Sequence, residues 1–182
     1  MKKTRPAIGS ESLRIEDQRA RQTLDADWNP IRPIPIEGVE LKEIKNVVYN
    51  RGILTELFRQ EWLDGDFAVR HVTHVSLLPG QTSQWHRHHE QRDIVFPIQG
   101  FIRIGLYDGR EDSPTKGGSS VIMFHPSRPR LLYIPPGVWH SLRNAGGGDG
   151  AYIVMNDTVF DYENPDDWVL PPNSPEIPVS LD

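Results

Sequence analysis

The chain has 182 residues, about the size of one domain, with 37% hydrophobic and 25% charged residues, 15 Gly and 16 Pro. Its formal charge of −5 offers no general attraction to a phosphate backbone and disfavours a nucleic-acid partner. Cysteine is absent, which excludes disulfides, thiolate metal sites and a cysteine nucleophile; any metal must be held by His and carboxylates.

Lys2 and Lys3 are followed by Ala7, Ile8 and then polar residues rather than the apolar core of a secretory signal, and no run approaches the roughly 18 apolar residues of a membrane span. A cytoplasmic protein with no membrane partner is expected. Residues 1–30 are rich in Arg, Asp, Glu and Gln and read as an N-terminal arm, with one short helix expected over 11–23 and Trp28 as the anchoring apolar side chain. Residues 30–35 form a Pro-rich linker into a single domain spanning 31–182.

From Val39 onward short apolar runs alternate with Gly, Pro, Asn and Asp, the pattern of an all-β domain. Strands are expected over 47–49, 54–58, 68–78, 83–88, 94–98, 101–107, 120–124, 131–134, 141–143 and 152–156. Ten short strands need closure or two stacked sheets to protect their edges, so a jelly-roll barrel is the expected architecture. The tail over 164–182 carries Pro165, Pro171, Pro172, Pro175 and Pro178; it is excluded from a central strand and is expected to lie along the surface.

Five of the seven histidines fall between His71 and His89. On a strand His86 and His88 share one face, with Trp85, Arg87 and His89 on the other. Asp93 opens the apolar run at 94–98, where an acid has no packing role, and His140 follows the tight turn Pro135-Pro136-Gly137. Together His86, His88, Asp93 and His140 are the expected ligands of a divalent metal, Fe(II), Mn, Zn or Ni, with open positions for a small molecule. No organic cofactor is expected. His71, His74, His89 and His125 read as ordinary strand or surface histidines, and Asp157, Asp161, Asp166 and Asp167 as solvated acids beside turns.

Gly80, His86, His88, Asp93 and Gly100 resemble the first cupin motif, and Pro135, Pro136, Gly137, His140 and Asn144 the second. A longer resemblance leads to one branch of the cupins. Residues 51–56 (RGILTE), the segment 108–117 (DGREDSPTKG) and the turn 134–140 (IPPGVWH) resemble the RGxFxE, DxRxxSPTxG and IPPGFAH segments of the dTDP-4-dehydrorhamnose 3,5-epimerases. The resemblance implies a cupin jelly roll, a homodimer, and isomerase activity on a nucleotide-linked or other keto sugar. It implies that Arg51 and Glu56 contact the nucleotide, often from the neighbouring subunit, that Arg110 contributes to substrate binding, and that His86 is the base. Tyr152 or Tyr162 would then supply the acid on the opposite face of the sugar, and His140 a further catalytic imidazole. The family's phosphate-binding arginine corresponds to Ser83, its active-site lysine to Asp93, and the aspartate that orients its histidine to Ser174. The last replacement leads to the expectation of a broken histidine–carboxylate dyad. A metal-dependent oxygenase or isomerase on the same scaffold, and a non-catalytic sugar-binding cupin, are the alternative functions.

Overall fold

The computed structural model describes residues 22–28, 34–63 and 65–182. The chain falls into two compact units, Met1–Pro33 and Ile34–Asp182. In the first, residues 25–28 form a turn that ends on Trp28, with φ of 64°. Residues 11–21 of the expected helix and most of the linker lie outside the described residues, and residues 22 and 23 are not helical.

In the second unit twelve strands follow one another: β1 (Glu40–Glu43), β2 (Asn46–Tyr49), β3 (Gly52–Thr55), β4 (His71–Leu77), β5 (Trp85–Arg87), β6 (Asp93–Gln99), β7 (Ile102–Asp108), β8 (Ser119–Phe124), β9 (Arg130–Ile134), β10 (Val138–Asn144), β11 (Gly150–Asn156) and β12 (Trp168–Leu170). They pair antiparallel into two five-stranded sheets, ordered β1-β9-β6-β11-β4 and β12-β5-β10-β7-β8, with β2 and β3 as a separate hairpin. This is the expected all-β jelly roll. No helix among the described residues is long and apolar enough to cross a membrane.

Alternation builds the core. Val95, Ile104, Leu106, Leu132, Ile134, Leu142 and Tyr152 meet between the sheets. The alternate residues Ile94, Phe96, Leu131 and Met155 are buried on the other side of the first sheet, beneath Phe67 and the loop around it. Strands β6 and β9 therefore bury both faces, which explains why their sequences read as unbroken apolar runs. Each deeply buried aliphatic side chain contributes about 1.5–3 kcal/mol of transfer free energy.

Two strands escape a reading based on apolar runs: β1, whose sequence is Glu-Leu-Lys-Glu, and β12. The second corrects the expected course of the tail. Instead of running only along the surface, it pairs through Trp168, Val169 and Leu170 with Arg87, His86 and Trp85 at the edge of the sheet. Its prolines confine it to that edge, since Pro171 and Pro172 end the ladder immediately. The tail then covers Trp85, whose indole Nε1 donates to the Pro172 carbonyl at 3.1 Å, and buries Ile177 and Leu181. Gly105 permits this approach: a Cβ there would lie 2.8 Å from both Leu181 and Trp85.

Candidate active site

A cavity of about 600 Å³ opens between the two sheets. One wall carries alternate residues of three adjacent strands: His71, Thr73 and Val75 from β4, Tyr152, Val154 and Asn156 from β11, and Asp93 and Val95 from β6. The facing wall carries His86 and His88 from β5 and just beyond it, with His140 and Leu142 from β10. The Pro135-Pro136-Gly137 turn fixes this wall. Gly137 takes φ of 82°, a conformation that disfavours any side chain, and its N–H donates to the His88 carbonyl at 2.7 Å.

The four expected metal ligands divide into two groups. His88 and His140 both direct Nε2 at one oxygen of Asp93, Oδ2, at 3.3 Å each. The other oxygen accepts from the side-chain amides of Gln91 at 2.9 Å and Asn156 at 2.7 Å. Each of these imidazoles commits its Nδ1–H to a backbone carbonyl, of Asp166 for His88 and of Val138 for His140. Their Nε2 atoms can therefore meet a carboxylate only as protonated donors, or together with a cation that accepts all three lone pairs. Asp93 is 3% exposed, so this choice is made almost out of contact with water.

His86 stands outside that group, which corrects the four-ligand expectation. The compact set whose ligand atoms lie within 4.8 Å of one another is His88, Asp93 and His140. The His86 Nδ1 instead lies 3.0 Å from Asp167 Oδ1. The dyad expected to be broken is thus present, with a different carboxylate: Ser174 bonds Glu176 within the tail, and Asp167 holds the histidine. With Nδ1–H donated to Asp167, the Nε2 lone pair of His86 is left for chemistry.

Asp166, beside it, also belongs to the site rather than to solvent. Its carboxylate accepts the backbone N–H groups of His89, Glu90 and Gln91 at 2.8, 2.7 and 3.0 Å, and its carbonyl orients His88. The dipeptide Asp166-Asp167 consequently fixes the tautomers of two histidines. No periodic apolar signal marks it; the sequence cue is its place directly before the edge-strand residues Trp168-Val169-Leu170.

The remaining expected residues lie elsewhere. Tyr152 is in the cavity wall but 5% exposed, and burial pushes its hydroxyl up to about 12. Tyr162 is 89% exposed, packs on Phe160 and does not line the cavity. Arg110 is turned away: its guanidinium and the hydroxyls of Ser113 and Thr115 all bond the fully buried carboxylate of Asp108, so the SPT segment is a loop clamp. Arg51 and Glu56 sit in the turn of the β2–β3 hairpin and just after it, Glu56 paired with Arg59. No Lys or Arg is among the described residues that line the cavity. Arg92 is bound by Asp66 and Asp157, and Arg103 by the Leu181 carbonyl.

The jelly-roll barrel with histidines gathered on one wall of its cavity, together with the comparisons that follow, places the chain among cupin-fold sugar epimerases. No protein-family model matches it. It is 31% identical over 137 residues, 75% of this chain and 88% of the relative, to the probable low-salt glycan biosynthesis epimerase Agl13 of Haloferax volcanii. It is 32% identical over 139 residues, 75% of this chain and 89% of the relative, to the spore coat polysaccharide biosynthesis protein SpsL of Bacillus subtilis. Among solved structures, a dTDP sugar isomerase from Desulfovibrio desulfuricans superposes with a TM-score of 0.75 at 27% identity, over 82% of this chain and 94% of that one. The dTDP-4-dehydrorhamnose 3,5-epimerase of Bacillus anthracis shares the fold, with a TM-score of 0.71 at 19% identity over 82% and 87%. The chain belongs to the dTDP-4-dehydrorhamnose 3,5-epimerase-like family of cupins.

The electrostatics of the Asp93 group make a prediction. Burial works against the charged form of His88, but the hydrogen bond and charge of Asp93 outweigh it and raise the imidazole from 6.5 to about 9. Burial likewise opposes ionisation of Asp93, and the two imidazoles outweigh it, holding the carboxyl well below the usual range. The native imidazole thus binds its proton more tightly than the unfolded chain does. Its contribution to stability is full below pH 6.5 and is lost as pH rises through about 9. In the metal-free Asp93→Asn variant the largest influence that raises His88 is gone: its titration, followed by imidazole NMR, falls from about 9, and the variant's stability deficit against wild type narrows above pH 9.

Proposed function

We propose that this protein is an epimerase of a nucleotide-linked or other keto sugar, with His86 as the base. The observation that carries the reading is the His86–Asp167 hydrogen bond at 3.0 Å on the wall of a cavity large enough for a sugar ring. A hydrogen on carbon next to a ketone is weakly acidic. Removing it requires a base within hydrogen-bond reach and stabilisation of the enolate that forms. His86 Nε2 takes the proton, and Asp167 steadies the resulting imidazolium. The protonated His88, next to His140 and Asp93, supplies positive charge for the enolate oxygen. Inversion then needs a proton from the opposite face. The activity of the relatives, sugar epimerisation and isomerisation, supports the reading.

A second reading rests on the donor set itself. His88, Asp93 and His140 offer two imidazole nitrogens and a carboxylate oxygen, each oriented by an outer hydrogen bond, and this set fits a divalent first-row cation. Such a cation would polarise the substrate carbonyl as a Lewis acid. Because His86 stands outside the set, a metal and a histidine base are compatible in this cavity.

The homodimer belongs to the same proposal. Val47 pairs with Leu54 and Val48 with Ile53, so each face of the hairpin carries one exposed apolar pair, 55% and 63% exposed on one and 77% and 64% on the other, and this apolar surface suits a second copy of the chain. That copy would bring Arg51 and Glu56 toward a neighbouring cavity with no Lys or Arg among its described lining.

Three measurements check these statements. His86→Asn is expected to lower solvent-deuterium exchange into a dTDP-4-keto-6-deoxy sugar by about 10²–10⁴-fold, and Asp167→Asn by at least about tenfold; exchange at wild-type rate in both removes the base. Elemental analysis of protein purified from metal-supplemented cells is expected to find a divalent ion that His88→Ala loses and His86→Ala retains; no ion in wild type ends the metal reading. Val48→Asp with Ile53→Asp is expected to halve the mass seen in sedimentation with an unchanged circular dichroism spectrum.

A further inference from the structure

An inversion at carbon by two groups requires that they approach the ring from opposite sides, and the two sheets supply those sides. His86 belongs to the sheet β12-β5-β10-β7-β8, and so does His140, while His88 directly follows β5. A sugar seated between the sheets meets all three from one face. The proton that completes inversion must come from the wall formed by β4, β11 and β6.

That wall holds few groups able to deliver one. Thr73, Val75, Val154 and Val95 do not titrate near neutrality, and the carboxylate of Asp93 is enclosed by His88, His140, Gln91 and Asn156. Tyr152 is misplaced in depth. Asn156 of β11 lies directly opposite Asp93 on one side and His71 on the other, so these three form one row across the sheet. The row is at the level of the imidazoles, because Asp93 touches His88 and His140 within it. Tyr152 begins four residues farther along β11, about 13 Å along the strand from that row, and its ring is part of the apolar core. His71, by contrast, stands in the row. It lines the cavity and is partly exposed, and its side chain has no hydrogen bond or ion pair among the described residues.

We infer that His71 is the second catalytic residue, the proton donor that faces His86 across the cavity. The inference rests on the epimerase reading above and adds the opposite-face acid that it lacks. In the step, His86 Nε2 takes the proton from the carbon beside the ketone, and the electron pair of the broken C–H bond becomes the enolate. The His71 imidazolium then gives a ring N–H proton to the other face of the same carbon. A new C–H bond forms, the enolate electrons restore the ketone, and exchange with solvent returns both imidazoles to their starting states. Nothing is oxidised or reduced.

The test separates removal of a proton from its replacement on the other side. In D2O with a dTDP-4-keto-6-deoxy sugar, followed by NMR, wild type is expected to place deuterium at the inverted carbon of the product. His71→Asn, and His71→Gln as a variant of more similar size, are expected to continue exchanging deuterium into unchanged substrate with retained configuration, while epimer formation falls at least about 100-fold. Epimer formation within threefold of wild type in both variants overturns the inference. So does equal loss of exchange and epimerisation in variants whose thermal midpoints match wild type. Exchange that survives His86→Asn instead removes the base reading, and wild type inert toward the sugar removes the epimerase reading together with this one.

Discussion

A single buried carboxylate organises this cavity. Asp93 is held where water hardly reaches, and an ion in such a place survives only if its surroundings answer its charge. Two amides satisfy one oxygen and two imidazoles converge on the other. That requirement holds His88 and His140, from one side of the cavity, against a carboxylate on the other, and so ties the two sheets together at this level. The family's lysine supplies a cation directly at this position, as the resemblance implies. Here an acid draws two imidazoles to the position instead, so the sign of the side chain itself is reversed.

The separation of His86 from that group follows from where a short strand stops. β5 ends at Arg87, and beyond it the chain turns under the three backbone N–H bonds accepted by Asp166. His86 remains in the ladder, opposite His140 and Val169, and reaches Asp167; His88, outside the ladder, swings to Asp93. Two residues apart in sequence, the histidines thereby acquire different partners and different chemistry. One keeps a bare nitrogen, and the other is tied into an ion pair.

The fold and about half of the site could be read from the residues alone. Period-two alternation placed most strands within a few residues, although the expected run at 54–58 is seen as β3 at Gly52–Thr55, where the hairpin turn at Asn50-Arg51 sets the register. The same alternation put His86 and His88 on one face, because inward and outward faces are local properties of a strand, and the Pro135-Pro136-Gly137 turn pointed His140 to the same cavity. Asp167 was not legible, since its bond to His86 spans 81 positions and depends on how a proline-rich tail folds back. Neither was the structural duty of Arg110: a conspicuous motif on a loop reads as binding, and only the coordinates reveal Asp108 beneath it. His71 looked ordinary for a similar reason, because the row it shares with Asn156 and Asp93 exists only across three strands.

The fold-back of the tail has a consequence for proteolysis. A chain clipped before Asp166 would keep every imidazole of the cavity, yet His86 and His88 would lose the Nδ1 partners that hold their tautomers. The orientation of both rings thus depends on a short strand seated at an open edge of the sheet.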